Sequence, residues 1–235
     1  MSLLPKNIDK SWNNFLTEDV LKELDIIEEK IGTEFFPRKE EILRFMSIDL
    51  NNLKYIIVGM EPYPSSFEKD GIIYPEATGR SFEVRNLLDK TWSDKFKQSS
   101  LRNILKTIYY NETGEIISLE ELRKKIEDKS FKIYNPKDFF ENIESQGVMF
   151  LNATLTVKPY TVDSHKKIWE TFMIKLINYI EENSKCVWVL WGKPAQDRFI
   201  PVIKNKYITS CHPRLNDFIK ENSLGKMEGI RFVKS

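Results

Sequence analysis

With 235 residues, 41% of them hydrophobic and 30% charged, the chain has the make-up of an ordinary soluble globular protein, long enough for one large α/β domain or two small ones. A formal net charge of +1 excludes a global positive field, so any nucleic-acid surface must be local. The opening MSLLPKNIDKSW lacks the apolar core of a signal peptide, and the longest apolar run, CVWVLW, is far too short to cross a bilayer.

The N-terminal region, to about residue 50, reads as two helices packed outside a sheet. The first predicted strand is KYIIVGM (54–60), which ends abruptly in Glu61-Pro62-Tyr63-Pro64. Residues 64–98, mixing Pro, Gly, Ser and both charges, read as an irregular insertion. Helical patterns follow: SLRNILKTIYY with Ser100 as N-cap, SLEELRKKIED with a capping box, and PKDFFENIES with Pro at its first turn. A second strand, VMFLNAT (148–154), leads to HKKIWETFMIKLINYIEEN, whose apolar spacing is helical, so that Ser164 and His165 open the helix. CVWVLWG (186–192) is the third strand, PAQDRFIPVIK a helix ended or kinked by Pro201, and KYITSC (206–211) the fourth strand.

The strands are nearly continuously apolar, as strands covered on both faces of a parallel sheet are. Strands alternating with helices imply βαβ crossovers, hence an α/β/α three-layer sandwich around a four-stranded parallel sheet, with residues 1–235 as a single domain. Cys186 and Cys211 lie in or beside apolar runs, which favours free thiols in a reducing, cytoplasmic compartment.

Ligands of open parallel sheets bind beyond the carboxyl ends of the strands. The residues there are Glu61-Pro62-Tyr63, Asn152, Gly192-Lys193 and His212-Pro213: a carboxylate, an amide, a cation and an imidazole on one rim. Taken singly, each has an ordinary structural explanation as a cap, a core amide or a surface charge. Their convergence gives the set its weight, as does the scarcity of histidine, of which the chain has 2, both in polar loops after predicted strands.

These segments resemble the uracil-DNA glycosylase family. GMEPYP (59–64) is similar to that family's water-activating Gly-Gln-Asp-Pro-Tyr-His, and ATGRSF (77–82) to its Ala-His-Gly-x-x-Phe. LNATLTV (151–157) with SHKKIWETF (164–172) resembles its uracil-reading strand and the following helix. LWGKPAQ (190–196) is similar to Leu-Trp-Gly-Ser-x-Ala-Gln, and CHPRL (211–215) to the His-Pro-Ser-Pro-Leu loop. The matches keep the family's order, from about residue 54 to 215.

The resemblance implies hydrolysis of the N-glycosidic bond of uracil in single- or double-stranded DNA, after the nucleotide is flipped out. His212 would donate to the developing uracil oxyanion, and Glu61 would stabilise the sugar cation and orient the water. Asn152 would read uracil O4 and N3–H, Tyr63 would exclude the thymine methyl, Phe82 would stack on the base, and Met60 would line the pocket. Tyr74 is the alternative stacking ring. Phosphate contacts fall to Ser100, Ser164, His165, Lys193 and Arg214, with Leu215 as the wedge. No cofactor and no metal are implied, and the expected protein is a monomer. Acidic DNA-mimicking inhibitor proteins are a further partner that the family brings.

Departures from the family pattern include Glu61 for Asp, Met60 for Gln, Pro64 for His, and cations at Lys193 and Arg214 where hydroxyls are usual. The departures leave two alternatives open, a non-catalytic DNA-binding relative serving as a replication accessory factor and a superfamily glycosylase for another damaged base.

Overall fold

Tyr55, Ile56, Ile57 and Val58 are all buried, and their side chains serve two different cores. In the computed structural model, which describes residues 3–234, they form strand β1 (Tyr55–Gly59). An antiparallel pair follows, β2 (Ser66–Lys69) with β3 (Ile72–Pro75), and then β4 (Val148–Asn152), β5 (Val187–Trp191) and β6 (Tyr207–Ser210). The main sheet has 4 strands, in the order β4-β1-β5-β6, and every neighbouring pair is parallel. Ile56, Val58, Met149, Leu151, Trp188 and Leu190 point to one side. Tyr55, Ile57, Val148, Phe150, Val189 and Trp191 point to the other. This alternation into two apolar layers is why the strand sequences show no polar face.

The helices that cover the sheet begin where the sequence places strong start signals. Helix α1 (Glu18–Ile31) is capped by Thr17, whose hydroxyl accepts from the Val20 amide. Helices α2 (Ser99–Thr113), α3 (Leu119–Glu127) and α4 (Pro136–Ser145) lie between β3 and β4, and α3 has the capping box of Ser118 with Glu121. Helices α5 (Glu170–Asn183), α6 (Lys193–Phe199) and α7 (Asp217–Glu221) complete the set. Among the described residues no helix is long and apolar enough to cross a membrane.

Four boundaries differ from the sequence reading. The N-terminal region contains one α-helix, and the stretch expected to hold a second is made of single 3₁₀ turns such as Arg44–Ser47 and Leu50–Asn52. Ile42, Leu43, Phe45, Met46 and Leu50 are buried at a spacing that a helix face would also show, but the Met46 carbonyl accepts from the Asp9 amide at 2.8 Å and the Leu50 amide donates to Ser11 Oγ at 3.0 Å, partners that replace a helical bond between the two. Residues 64–98 are not wholly irregular, since β2 and β3 form a hairpin turned by Asp70 and Gly71, both at left-handed φ (54° and 74°). Helix α2 starts two residues early, so Ser100 lies in its first turn and Gln98 is the N-cap. Helix α5 starts at Glu170, because residues 160–169 are taken up by turns that Ser164 and His165 anchor.

The N-terminal segment is fastened to the sheet layer through Trp12. Its indole Nε1 donates to the Ile48 carbonyl at 2.8 Å, and its ring packs against Phe15, Phe45 and Tyr179, the last from α5. Replacing this wholly buried ring by alanine removes both packing and the hydrogen bond. Trp12→Ala is expected to lower the free energy of unfolding by ~3–5 kcal/mol, as read from urea denaturation.

Candidate active site

The parallel register brings the carboxyl ends of β1, β4 and β5 together. Gly59 lies opposite Asn152, and Trp191 lies opposite Ser210 on β6. A Cβ on Gly59 would stand 2.5 Å from Asn152 Oδ1 and 2.7 Å from Ser81 Cβ, so only glycine lets the Asn152 side chain cross the strand end. The chain then turns through Met60–Pro64 while β4 follows it, with the amides of Ala153 and Thr154 donating to the carbonyls of Gly59 (2.8 Å) and Met60 (3.0 Å). Asn152 is a buried residue whose amide lines a cavity, where its donor and acceptor can meet a ligand.

The 77–83 segment is held from behind by Arg80. Its buried guanidinium donates to Glu144 through Nε (2.8 Å) and Nη2 (2.5 Å), and to Glu83 through Nη1 (2.8 Å). The Ser81 hydroxyl donates to the Ile57 carbonyl at 3.0 Å, and Gly79 fits where a Cβ would meet the Glu41 carbonyl at 2.1 Å. Between these anchors Phe82 adopts a left-handed φ of 65°, a strained state for an aromatic residue. Its ring meets Trp191 at 5.0 Å and faces His212 at 6.4 Å. Tyr74 lies elsewhere, on the hairpin, stacked on Phe67 and under the Arg38 guanidinium.

His212 follows β6. Gly192, at φ 89°, lets it approach, since a Cβ there would stand 2.9 Å from the His212 Cβ. Its Nδ1 accepts from the Arg214 amide at 3.1 Å, which assigns the ring proton to Nε2 in the neutral form. Burial, helped by the Arg214 charge, lowers its pKa below 6.5, so the imidazole is neutral at physiological pH. The loop beyond is held by Asn103 of α2, whose Nδ2 donates to the carbonyls of Pro213 (2.7 Å) and Leu215 (3.2 Å). Leu215 is left 50% exposed.

Glu61 is half-buried. Burial, more than any charge, raises its pKa above 4.5, opposed by a hydrogen bond from the Asp163 amide to its Oε2 at 2.8 Å. Tyr63 is half-buried against the core on the α2 side of the sheet, and burial, with the Glu76 charge adding to it, keeps its phenol protonated far above neutrality. Met60, Glu61, Tyr63, Phe82, Asn152 and His212 line one cavity of about 180 Å³, and Ser100 and Arg80 reach its wall. A groove of about 670 Å³ shares Met60 and His212 with it and runs past Lys193, Arg214 and Leu215.

Two of the expected phosphate contacts lie away from these cavities. His165 is 1% exposed, its Nδ1 hydrogen-bonded at 2.9 Å to Thr156 Oγ1, which also accepts from Trp169 Nε1 at 2.6 Å. Burial lowers its pKa, so it is a neutral core group and not a surface cation. The Ser164 hydroxyl accepts from the Lys158 amide at 2.8 Å and pins its own loop. Lys193 is exposed at the first turn of α6 and pairs weakly with Asp197 at 3.4 Å. Sequence reasoning passed over Asp163, Arg80 and Asn103. Only Asn103 gave a usable signal, as a polar residue among the buried Leu101, Ile104 and Leu105 of one helix face. Among the described residues no group of three or more His, Cys, Asp or Glu side chains is placed to hold a metal ion.

No protein-family model matches the chain. A curated uracil-DNA glycosylase of Francisella tularensis subsp. holarctica is 32% identical over 215 residues, covering 86% of this chain and 83% of the relative. The chain belongs to the uracil-DNA glycosylase family. The relative from F. tularensis subsp. novicida matches to the same extent, 32% over 215 residues with the same coverage of both chains. Among solved structures, the UNG of Nitratifractor salsuginis superposes with a TM-score of 0.74 at 22% identity, over 97% of this chain and 94% of its own. The mimivirus uracil-DNA glycosylase gives 0.64 at 20% identity, over 96% and 87%. These two share the fold, including the three-layer arrangement around the parallel sheet.

Within this glycosylase fold the Gly59–Asn152 contact has a measurable consequence. In Gly59→Ala the new methyl must push Asn152 aside, because Ser81 Cβ is fixed by its own backbone. Uracil release is expected to fall by ~10²-fold while circular dichroism still reports a folded protein.

Proposed function

We propose that this member of the uracil-DNA glycosylase family excises uracil from DNA at the cavity bounded by Glu61, Asn152 and His212, leaving an abasic site. The observation that carries the reading is His212. Its Nδ1 is already occupied by the Arg214 amide, so a neutral ring presents Nε2–H to the cavity that Asn152 and Glu61 share.

Each step follows from donor and acceptor arithmetic. A stacked base cannot enter the cavity, so the nucleotide must flip out. Asn152 offers an N–H to uracil O4 and an oxygen to N3–H, whereas cytosine reverses that pattern and would leave buried groups unpaired. Phe82, already next to the cavity in its left-handed conformation, stacks on the base, and Tyr63 occupies the side where a 5-methyl would go. As the glycosidic bond breaks, the electron pair leaves with uracil. Nε2–H of His212 stabilises the oxyanion that forms, and the Glu61 carboxylate stabilises the sugar cation and aligns the water that attacks it. Ser100, Lys193, Arg214 and the rim around Ser164 take the phosphates, and Leu215 fills the gap in the stack. His165 serves this reading from inside, as support for the 158–169 loop.

The proposed working form is a single domain acting as a cytoplasmic monomer on single- or double-stranded uracil-containing DNA. Both cysteines are free thiols, which suits a reducing compartment. A mimivirus UNG variant has been solved in complex with UGI, at 23% identity and a TM-score of 0.62 to this chain over 88% of it and 70% of its own. An inhibitor protein of that kind is a candidate partner here as well.

Purified protein is expected to release uracil from a uracil-containing oligonucleotide without added metal, and an intact substrate at high enzyme excess would sink the reading. The ionised carboxylate of Glu61 is the working form and its pKa is raised, so the rate should fall as the pH drops through a midpoint above 4.5. The lowered pKa of His212 works in the other direction, delaying protonation of that ring as the pH falls. Glu61→Gln should remove the contribution of that carboxyl to the acid limb and lower the rate by ~10²–10³-fold, as measured by single-turnover pH profiles.

A further inference from the structure

Glu61 reaches across to a loop that none of the family-like motifs connects with it. Residues 158–169 leave the β4 side of the rim and are tied down at several points. Lys158 and Thr161 form a bridge, and Ser164 Oγ accepts from the Lys158 amide. The Tyr160 amide donates to the Pro64 carbonyl at 2.7 Å, which joins the loop to the turn carrying Glu61. His165 is buried beneath, bonded to Thr156. Between these anchors Asp163 is held at a left-handed φ of 56°, and its N–H points at Glu61 Oε2, 2.8 Å away.

We propose that Asp163 is a positioning residue for the glycosylase reaction: its backbone N–H fixes where the Glu61 carboxylate stands, and its own carboxylate adds a second negative charge near that of Glu61. This rests on the base-excision reading and deepens it. The backbone amide explains why this chain works with glutamate. An aspartate at position 61 would end about 1 Å short, a misplacement of the size that disrupts catalytic geometry, and would give up the Asp163 N–H. The side chain contributes through charge, since the Asp163 carboxylate disfavours ionisation of Glu61 while Lys166, on the same loop, favours it. The other charged or titratable groups facing this corner are Arg80, Tyr63 and His212 on the cavity wall, and Arg198 of α6, which senses both Asp163 and Glu170. A fixed donor that holds the Glu61 carboxylate in place matters most where charge develops, and the nearby Asp163 charge tunes the pH at which that carboxylate ionises.

The test uses Asp163→Asn and Asp163→Gly, which remove the charge and tolerate left-handed backbone, against Asp163→Val, whose β-branch resists it. Uracil release from a single-stranded uracil-containing oligonucleotide is measured under single-turnover conditions across the acid limb, with thermal melts as a folding control. Asn and Gly variants should show an acid limb displaced to lower pH and a plateau rate within ~10-fold of the unmutated protein. The Val variant should lose a further ~10-fold or more relative to Asn. A Val variant as fast as the Asn variant overturns the role of the backbone amide. A second readout needs no turnover: the Glu61 carboxyl is titrated by NMR in the unmutated protein and in Asp163→Asn. A lower midpoint in the variant supports the inference even if uracil release fails, and coincident titrations overturn the role given to the side-chain charge even if uracil release succeeds.

Discussion

Two strand ends meet at Gly59 and Asn152, and the geometry of the rim depends on what is missing between them. Because β1 carries no side chain at that register position, the Asn152 amide can lean across it into the cavity. The same gap admits Ser81, whose hydroxyl ties the 77–83 segment to β1 and so brings Phe82 to the opposite wall. A second glycine does the equivalent job for β5, where Gly192 makes room for His212. The parallel sheet is thus a frame whose strand ends are trimmed to let functional side chains pass.

The electrostatics of the site follow from its depth. Burial acts in opposite directions on its two ionisable partners, raising the pKa of Glu61 and lowering that of His212. A lone carboxylate would respond to such surroundings by taking up a proton, and the hydrogen bond from the Asp163 amide offsets that tendency. The imidazole has the converse arrangement: a backbone amide on Nδ1 removes the option of donating there and commits the remaining proton to the ligand side. Backbone N–H groups set both functional states, and they cost no side-chain entropy.

The sheet and most helices were legible because their signals are local. Continuous apolar runs marked the four parallel strands, and Ser118 with Glu121 marked a helix start before any contact was known. The rim was legible through strand ends and family-like segments, which named Glu61, Asn152 and His212. What stayed hidden depends on distant partners. Whether His165 faces solvent or core is decided by Thr156 and Trp169, not by its neighbours in sequence. Arg80 looks like a surface cation until Glu144, far along the chain, is folded against it. The hairpin is the exception: Asp70-Gly71 ahead of Ile72-Ile73 is a readable turn signal, and the charges of Glu68 and Lys69 before it masked it.

Helix α2 carries a last consequence. Ser100 sits in its first turn at the cavity wall, and Asn103 lies one turn along, gripping the carbonyls of Pro213 and Leu215. Three residues of helix advance about 4.5 Å, and this span does not stretch. In the proposed complex, the grasp on the phosphate and the leucine entering the stack are therefore mounted on one rigid ruler. Their separation is set before DNA arrives, so the protein gauges the spacing of the strand it meets instead of moulding itself to it.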